Sequence, residues 1–313
     1  MNVTVTGGSG FIGSHVVDKM MDEGHDVTVV DTKPPHRVDV TYCEVDITDP
    51  VGLVEAMVGC DAVFHLAGVA NVDEAMADPV RTFALNVGGT ANVWEAARHN
   101  GVGRAVLAST VWVYSAAAPG QAATEDVPMA ISSPGHVYTA SKLAAELVAT
   151  SYAQLYGQSY TILRYGIPFG PRMREELVIP RFFGKAHAGE PIVINGDGLQ
   201  YRNYVYIEDM ARAHVLALEE SAGGQTFNLE GPDPVSIRRL AEVVRDLVNP
   251  LMDIEFRDAR PGDFVGHKAS REKSETLLGW TARTPFEEGM RRYAAWWLEA
   301  NQQVPAPGAL GVS

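Results

Sequence analysis

The chain has 313 residues, 46% of them hydrophobic and 20% charged, enough for one large core or two modest ones and too apolar for a disordered chain. Its formal net charge of −14 argues against unspecific binding of nucleic acid or an anionic membrane, so an anionic ligand must be held by a few placed arginines and backbone amides. The two cysteines, Cys43 and Cys60, have neither metal-ligand spacing nor the look of a disulfide framework, and no apolar run reaches membrane-spanning length. With a strand beginning at once in MNVTVTGGSG, the expectation is a cytoplasmic protein with no metal and no membrane or nucleic-acid partner.

Taken in chain order, NVTVT (2–6), DVTVV (26–30), VTYCEV (40–45), DAVFHL (61–66), RAVLAS (104–109) and SYTILR (159–164) read as strands. Apart from NVTVT, none alternates strictly between apolar and polar residues, as expected when both faces of a parallel sheet are covered. Helical patterns over 11–24, 79–100 and 135–156 separate them, with Gly24, Gly101 and Gly157 near the ends. The β-α-β-α rhythm predicts an α/β fold, a doubly wound parallel sheet of Rossmann type. After about residue 166 Pro and Gly become frequent and the elements shorten, which predicts a smaller mixed α/β substrate-binding region. The expected division is 1–165 for a dinucleotide, 166–300 for the substrate, interleaved with the first, and 301–313 as a Pro/Gly/Ala-rich tail.

The first strand runs into TGGSGFIG, where Gly7, Gly10 and Gly13 are spaced G-x-x-G-x-x-G before a helix. Such glycines permit a tight turn and bring a pyrophosphate close to backbone N–H groups at the positive end of the helix dipole. Asp31, at the end of the second strand, can accept both ribose hydroxyls and would repel a 2′-phosphate, favouring NAD over NADP; Lys33 nearby keeps NADP open.

GHVYTASKLAAELVA (135–149) places Tyr138 four residues before Lys142, on one helix face. A phenol is a poor base at neutral pH, and an ammonium one turn away favours its ionised form. In LASTVWVY (107–114), either Ser109 or Thr110 ends a strand at the carboxyl edge of the sheet, within reach of a hydroxyl that Tyr138 would deprotonate.

Together with VDITD (45–49), HLAG (65–68), NVGGT (86–90), LRYGIPFGPR (163–172), GDGLQYRNYVYIEDMARA (196–213) and RPGD (260–263), these motifs resemble the extended short-chain dehydrogenase/reductase family, in particular its NAD-dependent nucleotide-sugar epimerases and dehydratases, along residues 2–297. The resemblance implies a cofactor groove of Gly7, Gly10, Phe11, Ile12, Gly13, Asp31, Asp46, Ile47, Leu66, Ala67, Asn86, Ser109 and Pro168, with Tyr138 and Lys142 touching NAD as well. Tyr138 would be the acid/base, Lys142 would orient the ribose and lower the tyrosine pKa, and Thr110 would take the serine/threonine role and touch substrate. Arg202 and Arg260 would clamp the substrate diphosphate, and Asp263 would hold its ribose.

Within the family, 4,6-dehydratases carry Asp-Glu directly after the catalytic threonine and decarboxylases a glutamate near it. Val111 and Trp112 stand there instead, so the resemblance implies a 4-epimerase similar to UDP-glucose 4-epimerase, acting on a UDP-sugar by transient oxidation at C4. A dehydratase or reductase on the same scaffold and a non-catalytic dinucleotide-binding regulator are the rival readings. Ile167 departs from the family, which often has a phosphate-contacting asparagine there, and His267 falls in a loop where sugar preference varies. Helices 79–100 and 135–156 resemble the pair through which the family forms homodimers.

Overall fold

The computed structural model describes residues 1–114, 122–128, 135–258 and 268–302. Seven parallel strands form the central sheet: β1 (Asn2–Thr6), β2 (Asp26–Asp31), β3 (Thr41–Glu44), β4 (Ala62–His65), β5 (Arg104–Thr110), β6 (Tyr160–Tyr165) and the later Gln225–Leu229. Their helices are α1 (Phe11–Asp22), α2 (Pro50–Ala56), α3 (Val72–Ala77), α4 (Pro79–Phe83), α5 (Thr90–His99) and α6 (Val137–Tyr156). Neighbouring residues of one strand feed opposite cores: Val106 and Leu163 pack with Val5, Val17 and Phe64, whereas Leu107 and Ile162 pack with Trp94 and Ala149. Burial on both faces is why these strands lack polar alternation.

The expected helix 79–100 is one helical stretch in three parts, because Ala84–Gly89 between α4 and α5 is a π-helical turn. Such turns widen a helix locally and recur at functional sites. This one carries Asn86. Helix α2 begins at Pro50 behind Asp49, whose Oδ1 accepts from the amides of Val51 and Gly52, each at 3.1 Å.

Beyond β6 come β7 (Ile167–Phe169), α7 (Val178–Ala188), β8 (Ile192–Asn195), β9 (Tyr201–Tyr206), α8 (Ile207–Leu216), β10 (Gln225–Leu229), β11 (Pro234–Ser236), α9 (Ile237–Val248), β12 (Ile254–Arg257), α10 (Glu272–Thr276) and α11 (Phe286–Gln302). Strand β10 pairs with β6 in parallel register, Asn228 opposite Arg164, so the second half of the chain completes the main sheet. The order β10-β6-β5-β4-β1-β2-β3 reverses direction beside β1, and ligands of such sheets bind at the strand C-termini there. Strands β11, β9 and β7 form a small mixed sheet, and β12 pairs with β8 in parallel. Helix α11 extends two residues into the stretch expected to be tail; residues 303–313 lie outside the described residues. Among the described residues, no helix is long and apolar enough to cross a membrane.

Candidate active site

The glycine turn is closed by contacts that leave no room for side chains. Gly7 has φ of +74°, and a Cβ on it would lie 2.5 Å from the Ala67 amide nitrogen at the end of β4. A Cβ on Gly13 would overlap the Gly7 carbonyl oxygen. Gly10 is the N-cap of α1, and neither a capping side chain nor an acidic residue occupies the first turn. The amides of Phe11, Ile12 and Gly13 therefore head the helix dipole without a protein anion, an arrangement that fits a dinucleotide pyrophosphate. Asp31 stands at the end of β2, accepting from the amides of Ser9 at 3.1 Å and Lys33 at 3.2 Å.

Other expected groove residues divide between lining and support. Leu66 and Ala67 are half-buried at the end of β4, and Pro168 is half-buried in β7. Asn86 brackets Val69, accepting from its amide at 2.7 Å and donating to its carbonyl at 3.0 Å, and donates to Ser141 Oγ at 2.9 Å. It locks the loop after β4 against α6. The Ile47 side chain lies in the core against Gly89, and Asp46 accepts from the amide and hydroxyl of Thr48, both at 2.8 Å.

The three expected catalytic residues come together. Thr110 ends β5, and the Tyr138 phenol, in the first turn of α6, hydrogen-bonds its hydroxyl. One turn further, buried Lys142 donates from Nζ to the Ala108 carbonyl at 3.0 Å. Burial pushes the Tyr138 phenol up to about 12, against the opposing pulls of Thr110 and the nearby Arg174 charge. Burial likewise pushes Lys142 down to about 8, opposed by the Glu146 carboxylate. For Tyr138, desolvation outweighs the pulls of Thr110 and Arg174 together. Ser109 donates to Glu146 Oε1 at 2.5 Å, so its hydroxyl is held beneath the site. Behind Tyr138, His136 caps α6 by accepting from the Thr139 amide and stacks between Tyr138 and Trp112.

Two cavities adjoin Arg202. The larger, about 390 Å³, lies among α7, β8 and β12 and is bordered by Arg181, Lys185, Arg202 and Arg257. Four cations, one of them, Arg257, 3.7 Å from Glu255, border one cavity in a −14 chain, a lining suited to an anion. The smaller, about 30 Å³, is walled by Trp112, Ile167, Tyr201, Arg202 and Glu230. Arg260, Asp263 and His267 lie outside the described residues. Among the described residues no cluster of metal-ligating side chains occurs.

Residues 3–229 match the NAD dependent epimerase/dehydratase family. The chain belongs to that family. A UDP-glucuronate 4-epimerase from Thermodesulfobacterium geofontis is 31% identical, with 93% of this chain and 94% of that protein aligned. The solved UDP-glucose 4-epimerase of Thermotoga maritima with UDP-glucose superposes with a TM-score of 0.89 at 29% identity, covering 96% of this chain and 99% of that one. The dTDP-glucose 4,6-dehydratase DesIV from Streptomyces venezuelae, solved with NAD bound, gives 0.88 at 29% identity over 97% and 98%. This family member is accordingly an NAD-dependent enzyme related to both epimerases and dehydratases.

Sequence reasoning passed over four groups. Arg164 and Glu146 were signalled only by single charges inside the apolar runs YTILRY and LAAELVA. Arg174 sits in a Gly/Pro loop where no pattern marks it, and Glu230 directly follows the buried strand β10. Glu230 is 3% exposed, and burial pushes its carboxyl up to about 7 although the amides of Gly231 and Ala269 and the Asn203 side chain favour the ionised form. With the folded pKa above the unfolded one, its contribution is most favourable below pH 4.5 and is lost as pH rises through 7. Glu230→Gln should raise stability at pH 8 by up to about 3 kcal/mol relative to its effect at pH 5. Paired thermal melts at the two pH values check this; an equal effect at both would place the carboxyl's titration elsewhere.

Proposed function

We propose that the chain is a UDP-sugar 4-epimerase, with residues 1–165 serving NAD and 166–300 the sugar nucleotide. The observation that carries this reading is the turn after Thr110. Val111 and Trp112 occupy the positions where an eliminating acid would stand, directly beside the Thr110–Tyr138 pair. The acid in the adjoining small cavity, Glu230, has its oxygens engaged by the amides of Gly231 and Ala269. Bound NAD supplies a ring that takes and returns hydride, together with a positive charge. Tyr138 accepts the C4 hydroxyl proton and returns it, Thr110 orients that hydroxyl, and Lys142 holds the phenolate. Arg202 and Arg260 bind the diphosphate and Asp263 the ribose, since guanidinium forks match phosphate oxygens.

The decisive experiment loads the enzyme with NAD and follows C4 inversion of UDP-glucose and UDP-glucuronate by proton NMR. Interconversion at C4 is expected; accumulation of a 4-keto-6-deoxy sugar would replace the reading with a dehydratase.

A uronate substrate is favoured by one placement: Arg174, in the loop after β7 and 3.5 Å from Glu176, carries its charge close enough to act on Tyr138. A guanidinium there suits a carboxylate at C5 of the sugar. Arg174→Leu should lower kcat/KM for UDP-glucuronate about a hundredfold and for UDP-glucose less than about threefold. Equal losses on both sugars would remove Arg174 from substrate selection.

The proposed assembly is a homodimer through the helical layer of α4 and α6, where Val80, Leu147, Leu155 and Tyr156 are exposed. Light scattering at micromolar concentration should give twice the 33.8 kDa chain mass. A monomer mass would refute the assembly.

A further inference from the structure

Below the catalytic residues lies a buried charged network that the proposed chemistry does not use. Arg164 of β6 and Glu146 of α6 form a two-pronged pair, Nε to Oε1 at 2.9 Å and Nη2 to Oε2 at 2.7 Å, with both side chains under one-tenth exposed. Ser109 donates to the same Oε1. Arg164 Nη1 donates to the Tyr114 hydroxyl at 2.6 Å, and that hydroxyl donates to Asn228 Oδ1 at 2.8 Å.

The placement of this network relative to the reacting groups is regular. Three successive residues of β5 engage three side chains of α6 spaced four apart. The Ala108 carbonyl holds Lys142, the Ser109 hydroxyl binds Glu146 and the Thr110 hydroxyl binds Tyr138. Glu146 therefore sits one helical turn beyond Lys142 and anchors the middle of the strand segment that positions both Lys142 and Tyr138.

We propose that Glu146, clamped by Arg164 and Ser109, is a positioning residue of the catalytic centre, fixing α6 on the end of β5 and so holding Tyr138 against Thr110. This rests on the reading of Tyr138 as the acid/base. The other titratable groups around the pair do not make this clamp; Glu125, the other carboxylate beside Arg164, accepts from the Asn228 amide instead. From β4 comes His65, held neutral by burial between Thr6 and Thr90. From β6 come Arg164, Tyr165 and Tyr160, from the turn after β5 Tyr114, from the loop after β7 Arg174, and from the α6 cap His136. The π-helical turn carries no titratable residue. Of the acids on α3 and α5, Glu74 pairs with Arg81 of α4, Glu95 pairs with Arg98, and Asp73 lies exposed in the first turn of α3. Desolvation pulls Lys142 towards neutrality, and Glu146 is the carboxylate that opposes it.

The test titrates the ultraviolet tyrosinate band of NAD-loaded protein, with Tyr138→Phe subtracted, in the parent, Glu146→Gln and Glu146→Asp. Glu146→Gln loosens α6 on β5 and with it the Thr110 hydrogen bond that favours the phenolate, so it should raise the Tyr138 midpoint by about one pH unit, leaving about tenfold less phenolate at a given pH, and Glu146→Asp should restore most of it. An unchanged midpoint in folded Glu146→Gln would overturn the proposal. Should Glu146→Gln fail to fold, the double variant Glu146→Gln/Arg164→Met removes the pair together; the same rise is expected, and its absence is equally fatal. The titration needs no turnover, so a protein inactive on every UDP-sugar tried but showing the shift would refute the epimerase reading while supporting this one.

Discussion

Tyr138→Phe lowers kcat for C4 inversion about a thousandfold, within the range removed with a general acid/base, while the affinity for UDP-sugar measured by calorimetry changes less than about threefold. The phenol meets the Thr110 hydroxyl at the C-terminal edge of β5, beside the crevice where the sheet reverses order, whereas the proposed diphosphate contact, Arg202, stands on β9. Phenylalanine keeps the ring that stacks against His136 and loses only the group that exchanges a proton. The split between kcat and affinity follows from that separation. Burial holds the phenol near 12, so NAD loading should lower its titration midpoint by bringing a positive charge to the pair. A variant retaining a tenth of parental kcat would assign the proton transfer to another group.

What could be read in the sequence is what local physics determines. Strands β1, β2, β4, β5 and β6 are buried on both faces, so short runs rich in Val, Ala, Ile, Leu and Thr sufficed to mark each within a residue or two. Gly7 and Gly13 were legible because a backbone approaching another backbone admits no other residue. Tyr138 and Lys142 were legible because a helix puts positions four apart on one face.

The parts that escaped depend on distant partners. Nothing in QTFNL says that β10 will pair with β6, sixty residues earlier, since parallel register is set by packing rather than by a turn. The π-helical turn exists where Asn86 reaches Val69 and Ser141, a requirement invisible in the helical period of 79–100. Ser109 looked like a ligand-facing hydroxyl at a strand end, and only the position of Glu146 shows where it donates.

The largest stability effect is expected at Arg164. Arg164→Met leaves the Glu146 carboxylate buried with only Ser109 as a side-chain partner, and removing one member of a buried ion pair costs about 3–5 kcal/mol. For a chain of this size that lowers Tm by roughly 10 °C. The same substitution also frees the Tyr114 hydroxyl, and through it loosens the hold on Asn228, whose side chain donates to the carbonyls of Ala123 and Ser270. Adding Glu146→Gln to Arg164→Met removes the unpaired charge, so the double variant should recover more than half of the lost Tm, because buried pairs replaced as a unit are close to neutral. Scanning calorimetry on the parent, both single variants and the double variant completes the cycle. Additive losses would mean that the two residues contribute independently, and a Tm for Arg164→Met within about 2 °C of the parent would mean that water reaches Glu146 and pairs with it. The predicted outcome is instead strong coupling, since the pair joins helix α6, which carries Tyr138 and Lys142, to strand β6, on which β10 of the second half pairs.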